Sequence, residues 1–182
     1  MFKKSKLDQK GIKLLGCSRK LFCGMWSDGK CHGFMKMTSG KGEESFEGQM
    51  INNKKQGHGK EVKKGDTYEG MFESNKKHGE GQMKFSNGDR YAGTWQEDKM
   101  QGRGTLTMKS GDIYEGEFKH GKITGTGTMK HKDGSLYTGG WLNGLYEHQG
   151  ELREVDGSIY KGQFQAGKKH GEGRIDYPSL QD

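Results

Sequence analysis

The chain has 182 residues, of which 28% are hydrophobic and 30% are charged, and it contains 33 glycines against a single proline. This composition excludes a thick apolar core, and no apolar run approaches the roughly 18 residues of a membrane-spanning helix. The net charge is +7, but residues 1–21 hold seven basic residues and one acidic residue, so the rest of the chain is nearly neutral. Attraction to polyanions is therefore expected mainly of the N-terminal segment, and we expect no nucleic-acid partner.

Residues 1–21 are predicted to form a basic N-terminal arm. Its lysines are candidates for binding an acidic tubulin surface or an anionic phospholipid, and they include Lys3, Lys4, Lys6 and Lys10. The apolar stretch of the arm is too short and too interrupted for a secretory signal, and a mitochondrial presequence is the alternative. A short tail, residues 178–182, is predicted at the other end.

Between the arm and the tail, over residues 22–177, the pattern aromatic-x-Gly-x-aromatic followed by Gly-x-Gly recurs about every 23 residues. We call the first aromatic of each repeat its anchor and give it offset 0. A fixed period of this length is typical of a repeat array, in which each unit depends on its neighbours to bury its apolar face. The anchors are Phe22, Phe46, Tyr68, Tyr91, Tyr114, Tyr137 and Tyr160.

Within each repeat, offsets 0, +2 and +4 are predicted to share one face of a β-strand, because side chains alternate between faces. In the third repeat these residues are Tyr68, Gly70 and Phe72, and the residues between them are mostly polar. We call the face with the anchors the inner face and the opposite one the outer face. The pattern predicts an all-β fold, an antiparallel meander with about two strands per repeat.

Offsets +7 and +8 are mostly Asn, Asp, Gly and Lys, and they are predicted to form a two-residue hairpin loop. Cross-strand partners then have offsets that sum to 15, and a glycine opposite an aromatic leaves room for the ring to lie over the backbone. Between repeats, a three-residue loop ending in a left-handed glycine, such as Gly88, is favoured. The pairs predicted in the third repeat are Gly70–Gly81, Phe72–Gly79 and Tyr68–Met83.

Residues 68–89, YEGMFESNKKHGEGQMKFSNGD, and residues 114–135, YEGEFKHGKITGTGTMKHKDGS, closely resemble the MORN repeat (membrane occupation and recognition nexus). The resemblance implies an elongated, twisted, single-layer β-meander of about seven repeats that serves as an interaction scaffold. Two repeats depart from the pattern. The first has Phe34 and Met35 after Gly33, and the sixth has Leu145 in the turn and His148 at +11. These two repeats are expected to be distorted or occupied by a partner.

Catalysis and metal binding are not expected. Cys17, Cys23 and Cys31 lack CxxC spacing, which indicates neither a disulfide framework nor a zinc site and favours a reducing compartment. Several histidines share offset +10 and lie one per repeat, too far apart to hold one ion. No nucleophile–base constellation or phosphate loop is present, and no cofactor is expected.

Two sets of residues are candidates for binding. The inner-face rings of the regular central repeats are predicted to contact a protein partner or a second copy of the array, and they are Tyr68, Phe72, Tyr91, Trp95, Tyr114, Phe118, Tyr137 and Trp141. Lysines at +8 and +9 are predicted to line one edge and to meet phospholipid headgroups or acidic proteins, and they include Lys54, Lys55, Lys76 and Lys77. The alternative is that these lysines only keep the hairpin tips soluble.

Short, repeat-only chains of this kind resemble radial-spoke-head MORN proteins, which implies a non-enzymatic structural subunit of a cytoskeletal assembly such as a ciliary or flagellar axoneme. Such a subunit would be cytoplasmic and would bind other proteins of a large assembly. Two alternatives stay open. One is a peripheral membrane tether that reads anionic phospholipids, and the other is a targeting module for an enzyme on another chain.

Overall fold

The structure, a computed structural model, describes residues 9–15, 20–27, 29–39 and 43–178, and these ranges contain β-strands and turns but no helix. The strands pair antiparallel in chain order within one open sheet, which confirms the predicted all-β meander. Their bounds are β1 Gln9–Leu15, β2 Lys20–Ser27, β3 Lys30–Thr38, β4 Ser45–Ile51, β5 Lys54–Lys63, β6 Asp66–Glu73, β7 Lys76–Lys84, β8 Arg90–Gln96, β9 Lys99–Thr107, β10 Ile113–Lys119, β11 Lys122–Lys130, β12 Leu136–Leu142, β13 Leu145–Arg153, β14 Ile159–Gln165 and β15 Lys168–Asp176.

The chain forms two compact units. Unit 1 comprises the residues up to Ser86 together with Trp95–Asp98, and unit 2 comprises Asn87–Thr94 and the residues from Lys99 onward. Both units are built from the same hairpin, an outgoing strand that carries the anchor and a return strand. In the outgoing strand β6, Tyr68, Gly70 and Phe72 are buried while their neighbours are exposed, as the period of two predicts.

The hairpin loop lies one residue earlier than predicted, at offsets +6 and +7. In the third repeat Ser74 and Asn75 form the loop with φ of 47° and 77°, and two consecutive positive φ angles are typical of the type I′ turns that suit hairpins. Tyr68 pairs with Met83 and Gly70 with Gly81, as predicted, but Phe72 pairs with Lys77. The predicted Phe72–Gly79 pair is therefore wrong, because the register shifts by two residues between Gly70 and Phe72.

The register shift leaves a bulge at offsets +11 and +12 of the return strand. The +11 residue has positive φ, for example 66° at Gly125, and it pairs with the +4 aromatic of the following repeat, which is Trp141. Glycine suits this position because a side chain is strained there. His148 occupies it in the sixth repeat with φ of 64° and pairs with Phe164, so that repeat keeps the common geometry.

The turns between repeats follow the prediction in unit 2. The backbone N–H of Met108 donates to the carbonyl of Asp112 over 2.8 Å, which encloses the three-residue loop 109–111 and ends it at Gly111 with φ of 105°. Residues 132–134 and 155–157 form equivalent loops. In unit 1, β5 and β6 are joined by the two-residue loop 64–65 instead.

The start of unit 1 differs from the regular pattern in two ways. Met35 takes the place of the +13 glycine, is fully buried, and pairs with Gly24 on one side and Gly48 on the other. β1 lies within the predicted arm, and its Gly11 pairs with Gly24. This glycine pair has the same form as the Gly59–Gly70 pair of regular repeats, so β1 resembles the return strand of a preceding hairpin.

Candidate binding surfaces

From the second repeat onward, each anchor ring lies flat over a pair of glycines. A Cβ added at Gly127 would come within 2.4 Å of the Tyr114 hydroxyl and 2.6 Å of its ring, and a Cβ added at Gly116 would come within 2.3 Å of the same hydroxyl. These distances are too short for any side chain, so glycine is required at both positions. The glycines at +2 and +13 are thus the seat of the anchor ring, whereas the +11 glycine of the Gly-x-Gly motif serves the bulge with its positive φ.

The anchor hydroxyl is also satisfied within its own repeat. The Tyr137 hydroxyl donates a hydrogen bond of 2.9 Å to the carbonyl of Gly140, at offset +3. Four other tyrosines donate to the same offset over 2.9–3.2 Å. Burial raises the pKa of Tyr137 and of Tyr114 to about 12, because loss of hydration disfavours the phenolate.

Neighbouring repeats are joined by edge-to-face ring contacts. Tyr114 contacts Phe118 of its own repeat at 5.3 Å between ring centroids, and Trp141 of the next repeat at 5.0 Å. Tyr68 contacts Phe72 at 5.1 Å and Trp95 at 5.3 Å in the same way. Such pairs contribute about 0.5–1.5 kcal/mol each beyond the area that they bury, so the rings hold successive repeats together.

The eight rings predicted to contact a partner are all buried within the chain. Tyr68, Phe72, Tyr91, Trp95, Tyr114, Phe118, Tyr137 and Trp141 are at most 4% exposed. Their role in protein binding stays a prediction. The structure assigns them packing against glycine and against one another, and it leaves little ring surface for a partner to contact.

In the repeats that have a lysine at offset +9, its ammonium group lies over a buried ring. The ammonium of Lys77 lies 5.5 Å from the centroid of Tyr68 and 5.7 Å from that of Trp95, a cation–π geometry. Lys169 covers Tyr160 similarly, at 5.2 Å. In the sixth repeat Tyr146 holds this offset, and its ring stacks on that of Tyr137 with centroids 3.7 Å apart. The Tyr146 hydroxyl lies 2.5 Å from Nε2 of His131.

Lys55 combines a ring contact with an ion pair. Its ammonium lies 4.9 Å from the Phe46 centroid and pairs with Glu61, and the two charged side chains are 18% and 17% exposed. Glu61 holds offset +15, where Met83 and Met129 stand in other repeats. A polar pair therefore replaces apolar packing over this anchor.

The predicted polyanion-binding lysines fall into three groups. Lys3, Lys4 and Lys6, and the side chain of Lys10, lie outside the described residues. The ammonium groups of Lys55 and Lys77 lie over aromatic rings of the inner face. At offset +8, Lys54 and Lys76 are exposed, and Lys76 pairs with Glu97. Binding of polyanions by these residues stays a prediction.

The outer face of unit 1, predicted to be mostly polar, carries exposed apolar side chains. Phe34 is 54% exposed, and Met25, Ile51 and Met71 are between 38% and 48% exposed. They lie on β2, β3, β4 and β6, with Phe34 paired with Gln49 on β4. Their offsets were visible in the sequence and could have identified them: Met25 and Met71 have +3, Ile51 has +5, and Phe34 has +12, next to the inward-facing +13 position.

The outer face of unit 2 carries a polar groove of about 720 Å³, which we call the outer groove. Its floor is the backbone of paired glycines that runs from Gly104 to Gly139 across β9, β10, β11 and β12. One wall contains Thr105, Glu115 and Thr128. The other contains Arg103 and Thr126, and Thr126 donates two hydrogen bonds to Glu117 that hold the pKa of this carboxyl below its usual range.

Two further properties concern the described residues alone. They contain no group of three or more His, Cys, Asp or Glu side chains placed to hold a metal ion. In the same ranges, no helix has the length and apolar character required to cross a bilayer.

Glycine-seated rings, type I′ hairpins and ring contacts between successive units define a β-hairpin repeat protein. The chain belongs to the MORN repeat family, which matches residues 22–44, 46–66, 68–90, 91–113, 114–136 and 160–180. Residues 137–159 are not matched, although they form the same hairpin around Tyr137. MORN repeats generally mediate binding to proteins or membranes, and the family is one of binding modules rather than enzymes.

A search of curated proteins found no match to the chain. Among solved structures, the TCP10 domain of Danio rerio CPAP in complex with a peptide of Danio rerio STIL is similar, at 8% identity and a TM-score of 0.47, over 91% of this chain and 70% of that one. The SAS-4 (dCPAP) TCP domain of Drosophila melanogaster, in complex with a proline-rich motif of Ana2, is similar at 12% identity and a TM-score of 0.39, over 85% and 90% of the respective chains. These likenesses carry no inference about function.

Proposed function

We propose that this protein is a non-enzymatic scaffold that binds other proteins as a structural subunit of a cytoskeletal assembly, with the ciliary or flagellar axoneme as the candidate site. The observation that carries protein binding is the group of exposed apolar side chains on the outer face of unit 1. Large exposed apolar side chains grouped on one face of a folded chain typically mark an interaction surface. The cytoskeletal part rests on the resemblance to radial-spoke-head MORN proteins alone.

The experiment compares proteins that co-purify with the tagged chain and with two variants. Phe34→Ser combined with Met71→Ser removes apolar contact area from an exposed surface, so the fold is retained and partners are lost. Val155→Ser is the matched control, because Val155 is 65% exposed and lies in a turn of unit 2. Partners that survive the double substitution, or that vanish in both variants, argue against this surface. A partner set without cytoskeletal proteins contradicts the finer proposal.

A peripheral membrane tether is the second candidate, and the exposed Lys54 is the observation that favours it. Among the described residues no acidic side chain forms an ion pair with Lys54. A tether co-sediments with anionic liposomes, loses them at high salt, and tolerates the Phe34 and Met71 substitutions. The third candidate, a targeting module, predicts that the purified complex contains a catalytic subunit.

A further inference from the structure

One wall of the outer groove carries a glutamate, Glu115, whose counterparts in three other repeats form ion pairs across the strands. At offset +1 of other repeats, a charged side chain pairs with an opposite charge on the neighbouring strand. Lys36 lies 3.2 Å from Glu47, Lys60 lies 3.4 Å from Glu69, and Lys161 lies 3.0 Å from Glu151. These cross-strand pairs leave the corresponding parts of the outer face close to neutral.

Glu115 has the same offset but lacks such a partner. Its neighbours on the flanking strands are Thr105 and Thr128, which carry no charge. Within the ranges that the structure describes, no side chain forms an ion pair or a hydrogen bond with its carboxylate. The opposite wall carries charges of both signs side by side, since Arg103 lies opposite Glu117 in the register. Glu115 is thus an exposed carboxylate on the groove wall that a basic group of a partner can neutralise.

The dimensions of the outer groove limit what can occupy it. Its walls are rows of residues two positions apart along each strand, which corresponds to roughly 6.7 Å. An α-helix with side chains is about 10 Å wide and is too broad for this spacing, whereas an extended chain fits. Four strands at about 4.8 Å give the groove a length of roughly 14 Å, which is enough for four or five extended residues.

We propose that the outer groove binds an extended peptide segment of a partner protein and that Glu115 selects a lysine or arginine in that segment. The threonine hydroxyls of the walls supply donors and acceptors for the backbone of the peptide, and the glycine floor lets it approach the sheet closely. This inference rests on the proposed protein-binding function, because it assigns one recognition site to the scaffold.

The experiment uses the full chain as bait for a phage library of random dodecapeptides, followed by anisotropy titration of the selected sequences. Glu115→Gln is the test variant, and Glu69→Gln is the matched control, since Glu69 has the same offset and exposure but is already paired with Lys60. We expect selected peptides to contain a basic residue. We also expect Glu115→Gln to weaken them at least about fivefold and Glu69→Gln to leave them unchanged. Circular dichroism verifies that each variant is folded.

A charge exchange strengthens the test. The Glu115→Lys chain should lose the selected peptide and regain binding when the basic residue of that peptide is replaced by glutamate. The proposal is overturned if the library yields no binder, if the binders lack a basic residue, or if Glu69→Gln weakens them as much as Glu115→Gln. If the chain selects no peptide but still binds cellular partners through Phe34 and Met71, the groove proposal is refuted while the proposed protein-binding function stands.

Discussion

The hydroxyl of Tyr68 donates a hydrogen bond of 2.9 Å to the backbone carbonyl of Met71, three residues further along the same strand. This carbonyl lies where the register shifts between Gly70 and Phe72, so it falls outside the regular pairing with the return strand. Each tyrosine anchor therefore satisfies a backbone group at the bulge that the hairpin geometry requires. The anchor is a polar as well as an apolar element of the repeat.

Removing one anchor hydroxyl should weaken the fold modestly. Tyr137→Phe leaves the carbonyl of Gly140 without its buried donor, and we expect a loss of about 1 kcal/mol in the free energy of unfolding. Urea denaturation followed by circular dichroism measures it. Tyr177→Phe is the control, because Tyr177 is 75% exposed and should give no change. Equal effects of the two substitutions would contradict the role assigned to the hydroxyl.

Filling one glycine seat should be far more damaging. Gly127→Ala places a methyl group 2.4 Å from the Tyr114 hydroxyl, so the ring must leave its seat, and we expect a loss on the order of 3 kcal/mol. Gly121→Ala is the comparison, since Gly121 has open space around it and only its φ of 83° disfavours alanine, at a cost of about 1 kcal/mol. If Gly121→Ala proved the more destabilising of the two, ring seating would not be the reason for the glycine pairs.

The ion pair of Lys55 and Glu61 should behave as a largely buried pair. Lys55→Met and Glu61→Met each leave one charge without its partner over Phe46, and we expect each to lower stability by on the order of 2 kcal/mol. The double substitution restores the apolar packing found at Met83, so it should come close to the stability of the unmodified chain. Thermal denaturation of all four chains completes the cycle, and additive losses in the double variant would refute the coupling.

Replacing the one described non-glycine residue at offset +11 should stabilise the protein. His148 adopts φ of 64°, a conformation that costs a residue with a Cβ about 1 kcal/mol. Its side chain is exposed, so His148→Gly should raise the free energy of unfolding by a similar amount. Gly57→Ala, at φ of 70° and with no atom closer than 3.8 Å to the added Cβ, is the reverse substitution and should lower it. The same urea titration tests both, and a loss with His148→Gly would show that the imidazole contributes more than the strain costs.

Stability should fall at alkaline pH because of the buried tyrosines. Burial raises the pKa of Tyr114, Tyr137 and Tyr146 to about 12, whereas unfolded tyrosine ionises near about 10. Below pH of about 10 these hydroxyls are neutral in both the folded and the unfolded chain, so their contribution to the free energy of unfolding is fully present. Between about 10 and 12 the unfolded chain loses protons that the folded chain retains, so stability decreases as pH rises. Urea midpoints measured across this window, together with tyrosinate absorbance, test the prediction, and a constant midpoint would contradict it.

Alternation of faces, glycine pairs and left-handed glycines between repeats could all be predicted, because each depends on residue types at fixed spacing. The loop position could not. Offset +6 holds residues as different as Ser74, Glu97 and Ala166, none of which indicates a positive φ. The prediction therefore placed the loop one residue late and gave the +11 glycine to its own repeat, whereas it faces the aromatic of the next one.

The candidate sites were harder to predict than the fold. Aromatic residues on one face indicate packing or binding equally, and only the flat seat of Tyr114 over Gly127 shows how completely a single layer can bury its rings. The sequence pattern also gave no sign that Lys77 turns back onto Tyr68 and Trp95. By contrast, the lack of a charge opposite Glu115 follows from the predicted register, because Thr128 and Thr105 lie where that register holds.

The ring contacts between neighbouring hairpins have a consequence for how such a chain can change in length. Tyr114 contacts Trp141 just as Tyr91 contacts Phe118, at 5.0 and 4.9 Å, so any anchor can meet the ring of any following hairpin. Excision of residues 114–136 would bring Tyr91 against Trp141 and rebuild an equivalent junction. Loss of a single strand would instead reverse the direction of every later strand and move the later hairpin loops to the opposite edge of the sheet. Insertions and deletions in this lineage should accordingly accumulate as whole hairpins, and the number of copies, rather than their internal chemistry, becomes the freely varying trait.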